Sequence, residues 1–250
     1  VIGTILENAQ VNSARDWSNI RKSILDHEIN RGQFTTNNID AMILGHCTKI
    51  KRYDLGASYV SFLNQEDVKL NIATIGKYLK LIYFKNQENC LETGKPCDKA
   101  QEEIITKHYH DLRKDYPVLD SLTLENVVLA LSLTSRWKEC LDLLKEIKIT
   151  AVPTAAAYSA VIAAAFLNNE EALGWTLLDE ILMLDKLPGS VSLLAYVTYK
   201  GLCQHCSQTL DNFVLTDQEF AELKSEIFEK VIVGRDVFVK TNPEELEKFK

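Results

Sequence analysis

With 250 residues, 46% of them apolar and 25% charged, the chain is long enough to bury one or two sizeable cores. No apolar run reaches the roughly 18 residues that a membrane-spanning helix needs, so no membrane partner is expected. A net charge of −7 and a pI near 5.4 argue against an indiscriminate nucleic-acid binder, which needs an extended positive face, yet leave room for a local basic stripe.

Six cysteines without regular spacing do not make a disulfide framework in a chain of this length, so a reducing or neutral compartment is expected. The first residue is Val1 rather than Met, which suggests that an N-terminal segment has been removed; no targeting signal is visible.

Taken in order, Asp16–Asn30 reads as a lone second helix of a pair, with Gly32 as its stop. Asn38–Cys47 and Arg52–Leu63 make the first full pair. Ile72–Phe84 opens the next about 35 residues after Asn37. The polar stretch Lys85 to Ala100 then reads as an inserted loop before a helix over Gln101–Leu112. Leu122–Leu133 and Trp137–Ile147 form another pair, turned at Thr134-Ser135. The last, Ala155–Leu167 and Glu171–Leu184, is hinged at Asn168-Asn169. Pro153 and Pro188, 35 residues apart, each precede a new start.

The second helices carry apolar residues at i, i+3, i+4 and i+7: Trp137, Cys140, Leu141 and Leu144 in one, Gly174, Leu177, Leu178 and Ile181 in the next. Such a stripe packs against the first helix of its own pair and of the following pair. Residues 1–190 are therefore expected to be an all-α solenoid of helix pairs.

A 35-residue helix pair with a proline near its end, and Tyr158 opening a first helix, resembles the pentatricopeptide repeat family. The 34-residue tetratricopeptide repeat is the near alternative, but its Trp and Gly-Tyr marks are not in place. The resemblance implies an RNA-binding array, in which first helices line the concave face and one or two side chains per repeat reach the RNA. Aligned on that pattern, Asp40, Gly76, Glu125 and Ser159 take the fifth position of successive units, and Asn71, Asp120 and Thr154 close three of them. Asp40, Asn71, Glu125, Thr154 and Ser159 are the RNA-binding candidates this yields. Two acidic first-helix positions do not make a tidy base code, so recognition of RNA shape rather than a linear read of bases is expected. Solvated helix residues are an equal reading of the same positions. Arg21-Lys22, Lys49-Lys51-Arg52, Lys77-Lys80 and Arg113-Lys114 are the clusters available for phosphates.

After Ser190 the period is lost, and Cys203-Gln204-His205-Cys206 forms a Cys-x-x-Cys knuckle that supplies half the thiolates of a structural zinc site. A thioredoxin-like redox pair is the rival, but no βαβ pattern surrounds it. His205 points away from a metal held by its neighbours, as a loop residue. Cys47 and Cys140 sit at apolar helical positions; Cys90 and Cys97 fall in the inserted loop.

The knuckle leads into Leu215-Thr216-Asp217-Gln218-Glu219-Phe220, Lys224–Ile232 and Asp236, then the ending Thr241-Asn242-Pro243-Glu244-Glu245-Leu246. This looks like the central zinc-binding region of the protein-only RNase P family, with possible short strands over residues 191–250. The resemblance implies that Cys203 and Cys206 are the first two ligands of a structural Zn, the remaining His and Cys lying past a nuclease domain that follows Lys250. It implies catalytic Mg in that absent domain, precursor tRNA as substrate and cleavage that frees the mature 5′ end. For animal mitochondrial members it implies a tRNA methyltransferase and a dehydrogenase-fold subunit as partners, in the mitochondrial matrix.

The stretch itself shows no catalytic constellation: no Gly-rich phosphate loop, no His-Glu-x-x-His and no Ser elbow. His108 and His110, two apart on a helix, do not share a face. The chain alone is expected to be catalytically silent. A non-catalytic pentatricopeptide RNA-binding protein and a helical interaction scaffold are the competing readings.

Overall fold

The computed structural model describes residues 2–30, 38–93 and 95–183, and every regular element among them is an α-helix. In chain order these are α1 (Ile2–Glu7), α2 (Ala14–Asn30), α3 (Ile39–Lys49), α4 (Tyr53–Gln65), α5 (Ile72–Thr93), α6 (Lys99–Asp115), α7 (Ser121–Leu131), α8 (Glu139–Thr150), α9 (Ala155–Leu167) and α10 (Glu171–Met183). None of them is long and apolar enough to cross a membrane. The Gly32 stop, the Cys-x-x-Cys knuckle, the possible strands and the boundary near residue 190 lie outside the described residues.

Helix starts follow side-chain chemistry. Asn71 Oδ1 accepts the Thr74 N–H at 2.9 Å and its hydroxyl at 3.0 Å; Asp120 accepts the Thr123 N–H at 3.0 Å and its hydroxyl at 2.7 Å. Thr154 Oγ1 accepts the Ala157 N–H at 3.3 Å. Each satisfies a donor the first helical turn leaves unpaired, worth about 1 kcal/mol apiece.

Helix ends repeat as well. Lys51, Asp67 and Asn169, all left-handed with φ of 57°, 55° and 62°, follow α3, α4 and α9. The next amide reaches back five residues each time: Arg52 to Cys47, Val68 to Leu63 and Glu170 to Ala165, all at 2.9 Å. These are Schellman closures, made without glycine. They turn the chain within two or three residues, which sets up the tight hairpins α3–α4 and α9–α10.

The described residues fall into two compact units. The first takes α1 to α4, α5 up to Gln87, α6 and most of α7. Its odd-numbered helices approach one another closely: a Cβ at Gly45 of α3 would lie 4.0 Å from Lys77 Cδ on α5, and one at Gly76 of α5 would lie 3.4 Å from Asn126 Nδ2 on α7. Helix α2 lies against α4 through Trp17, whose Nε1 donates to Ser58 at 3.2 Å and whose ring sits 4.7 Å from Tyr59. Leu44, Cys47, Leu63, Leu79 and Leu81 are fully buried between the layers.

The second unit takes the last turn of α5, residues 95–98, and α8 to α10. Trp175 and Phe166 meet edge to face at 5.2 Å in the α9–α10 hairpin. Lys138 pairs with Glu170 at 2.5 Å, and Lys148 pairs with Glu180, which also accepts the Tyr158 hydroxyl at 2.9 Å. These half-exposed pairs add little to stability but fix α8 against α10.

Two expectations change. Lys85 to Ala100 is not a loop: α5 continues to Thr93, and Cys90 and Cys97 are both buried. Polar residues do not stop a helix, and the first breakers after Phe84 are Gly94 and Pro96. Cys97 is held inside by its N–H donating to Leu133 O at 2.7 Å. On α8, Leu141 is only half-buried and Leu143 packs inward with Cys140, Leu144 and Ile147. The helix starts at Glu139, after a turn over Thr134 to Lys138, which rotates the stripe.

Candidate nucleic-acid interface

Among the odd-numbered helices of the first unit, α3 and α5 carry the lysines. The aliphatic stem of Lys77 lies over Gly45 of α3, with its Cδ 4.0 Å from where a Cβ would stand. Lys80 is one turn further along α5 and near enough to act on the Lys77 charge, and Lys49 is one turn beyond Gly45 on α3. Burial, with the charge of Lys80 beside it, holds the Lys77 ammonium below the usual lysine range. No carboxylate pairs with Lys77 or Lys80 among the described residues.

The arginines of the basic clusters are occupied differently. Arg21 Nε donates to Asp40 Oδ1 at 2.8 Å and Nη2 to Oδ2 at 3.2 Å. Arg52 Nη1 donates to the carbonyls of Leu6, Glu7 and Ala9 at 2.7, 3.2 and 3.0 Å, closing the end of α1. Arg113 donates to Pro117 O at 3.3 Å and lies 5.7 Å from the Tyr109 ring. Guanidinium forks thus serve the fold, and the lysines carry the cationic surface.

The five residues proposed to meet RNA occupy different environments. Asp40 is 7% exposed and turned inward, where Tyr59 Oη donates to it at 2.5 Å beside the Arg21 pair. That environment replaces the exposed concave position expected for it. Asn71 and Thr154 are the N-caps of α5 and α9, with one side-chain oxygen committed to the helix. Glu125 is half-buried on α7, next to the buried Asn126 that faces Gly76. Ser159 is buried on α9. Asp40, Asn71 and Glu125 belong to the first unit, Thr154 and Ser159 to the second. Sequence reasoning named Lys77 and Lys80 as a pair, but gave no signal that Lys77 meets Gly45 of α3.

Cys203 and Cys206 lie outside the described residues. Among the described residues no group of three or more His, Cys, Asp or Glu could hold a metal. Cys47, Cys90, Cys97 and Cys140 are all buried, and burial pushes the Cys47 thiol up to about 11. None of these four presents an accessible thiolate.

The family model described as protein-only RNase P matches residues 197–250. The similarity to protein-only RNase P lies in this stretch. Two curated relatives, the mitochondrial ribonuclease P catalytic subunits of Mus musculus and Rattus norvegicus, are 23% and 22% identical over 207 residues. Those alignments take in 60% of this chain, which spans only 35% of each relative.

Proposed function

We propose that this chain is the precursor-tRNA-binding portion of a mitochondrial ribonuclease P. The observation that carries this reading is the protein-only RNase P match at residues 197–250, C-terminal to the helix pairs. The helix pairs form a pentatricopeptide-type solenoid whose first helices hold the tRNA, with Lys49, Lys77 and Lys80 available to phosphates. Glu125, Asn71 and Thr154 border the same helices and stay candidates for contact. The relatives are named as catalytic subunits, so the protein's activity is cleavage of precursor tRNA at the mature 5′ end, performed by a nuclease domain that this stretch does not contain.

Cys203 and Cys206 supply two thiolates to a structural zinc that ties this region to the rest of the protein, and Mg belongs to the nuclease. A tRNA methyltransferase and a dehydrogenase-fold subunit are the expected protein partners, in the mitochondrial matrix.

The test is 5′ processing by the intact protein, with Mg²⁺ and those subunits present. A labelled precursor tRNA should give a mature 5′ end and a released leader. Binding without any cleavage would overturn the ribonuclease reading and leave a non-catalytic RNA-binding array.

A further inference from the structure

Cations are distributed unevenly over the helices that open each pair. Helix α7, SLTLENVVLAL, carries no lysine or arginine and one acid, Glu125; α9, AAAYSAVIAAAFL, carries no charged residue at all. Helices α3 and α5 carry Lys49, Lys77, Lys80 and Lys85, and Lys85 is paired with Asp54 at 2.6 Å. On α3 the one acid, Asp40, is neutralised inside the unit by Arg21. The acids of α5, Glu88 and Glu92, follow Lys80 by two turns or more. The seam between α3 and α5 therefore has three lysines and no exposed carboxylate from its own two helices near them.

We infer that the α3–α5 seam is the phosphate clamp of this protein: Lys49, Lys77 and Lys80 hold the RNA backbone there, while α7 and α9 make no backbone ion pairs. This deepens the precursor-tRNA reading and rests on it. The chemistry fits a phosphodiester chain better than an acidic protein. Lysine is a point charge that accepts any approach to a phosphate oxygen, whereas planar carboxylate recognition favours the arginine forks, and those are committed to the fold. A partly buried, poorly compensated ammonium such as Lys77 gains most from a phosphate, because an anion there relieves both its desolvation and its repulsion from Lys80. These helices without cations leave room for contacts that read shape or bases without adding to the salt dependence.

The experiment follows binding of the full chain to a fluorescent precursor tRNA across a salt series. Two double variants of equal charge are compared, Lys77→Gln/Lys80→Gln on the seam and Lys99→Gln/Lys107→Gln on α6. The seam variant should weaken binding about tenfold or more at moderate salt and flatten the log–log salt slope by about 1.5 to 2 units. The α6 variant should stay within about 0.5 of the wild-type slope. Lys77→Arg/Lys80→Arg, which keeps the charge, should restore the slope, and matching helical circular dichroism of all variants shows that folding is not the cause. If the wild-type chain binds but both Gln variants flatten the slope equally, or neither does, the clamp is overturned and the RNA reading stands. If the wild-type chain binds no RNA even at low salt, the RNA reading itself falls, and the clamp with it.

Discussion

Replacing Asp40 by alanine should lower stability by about 3 kcal/mol, the largest loss expected from one substitution in the first unit. The carboxylate is shared: Arg21 of α2 donates twice to it, and Tyr59 of α4 donates once at 2.5 Å. Tyr59 is fully buried, and removing its acceptor strands a hydroxyl at a cost of about 1–3 kcal/mol. Arg21 is about a third exposed, with 32% of its side chain accessible, so water recovers part of its lost pairing. The carboxylate holds the Arg21 and Tyr59 protons more firmly than water would: hydrogen bonding to Asp40 raises the one, and burial followed by the Asp40 charge raises the other. Asp40→Asn keeps an acceptor for Tyr59 and should cost about half as much. Tyr59→Phe alone should cost about 1 kcal/mol, and Asp40→Ala/Tyr59→Phe should be clearly less than additive, since the second change removes the stranded hydroxyl. Urea denaturation followed by circular dichroism measures all four. Additive losses, or an Asp40→Ala cost below about 1 kcal/mol, would mean that Asp40 does not couple α2 to α4.

Gly174→Leu should destabilise the second unit by about 3 kcal/mol or more, and Gly174→Ala by about 1–2 kcal/mol. A Cβ built at Gly174 would stand 2.7, 2.9 and 2.9 Å from Cε1, Cδ1 and Cζ of Phe166. That ring is 1% exposed and backed by Trp175, which is fully buried, so it has no free space to swing into. Alanine gains roughly 1 kcal/mol of helix propensity over glycine, which offsets only part of the overpacking. Shrinking the obstacle discriminates this cause from others. Gly174→Ala/Phe166→Leu should cost less than the sum of its parts, because leucine leaves the space that the new methyl needs. A Gly174→Ala protein more stable than wild type would show that the ring yields and that Gly174 is not a packing requirement.

Much of the helix pattern was legible in the sequence, and the reasons for the rest are local. The pair Ala155–Leu167 and Glu171–Met183 was readable because Pro153, Asn168-Asn169 and an unbroken apolar run mark its limits. Asn71, Asp120 and Thr154 were legible as the positions that close each unit; their capping role is what makes those positions recur. Helix α5 was cut short at Phe84 because its last turns show only Cys90 and Leu91 as apolar residues among polar ones. Asp40 was read as an exposed reader because its partners lie 19 residues away on either side, at Arg21 and Tyr59, beyond any helical period. Nor did composition announce the lysine seam. An acidic chain conceals it, and only the structure brings Lys77 of α5 against Gly45 of α3, the helix that carries Lys49. The cysteine pair stayed a matter of spacing and family resemblance, since Cys203 and Cys206 lie outside the described residues.

The central claim is recognition of precursor tRNA, and a binding titration of this chain tests it most directly. A precursor tRNA and an unstructured RNA of equal length are compared at two salt concentrations. The account predicts tighter binding to the precursor, weakening steeply as salt rises in the way phosphate contacts require. Equal affinity for the two RNAs, or no binding at either salt, would contradict it.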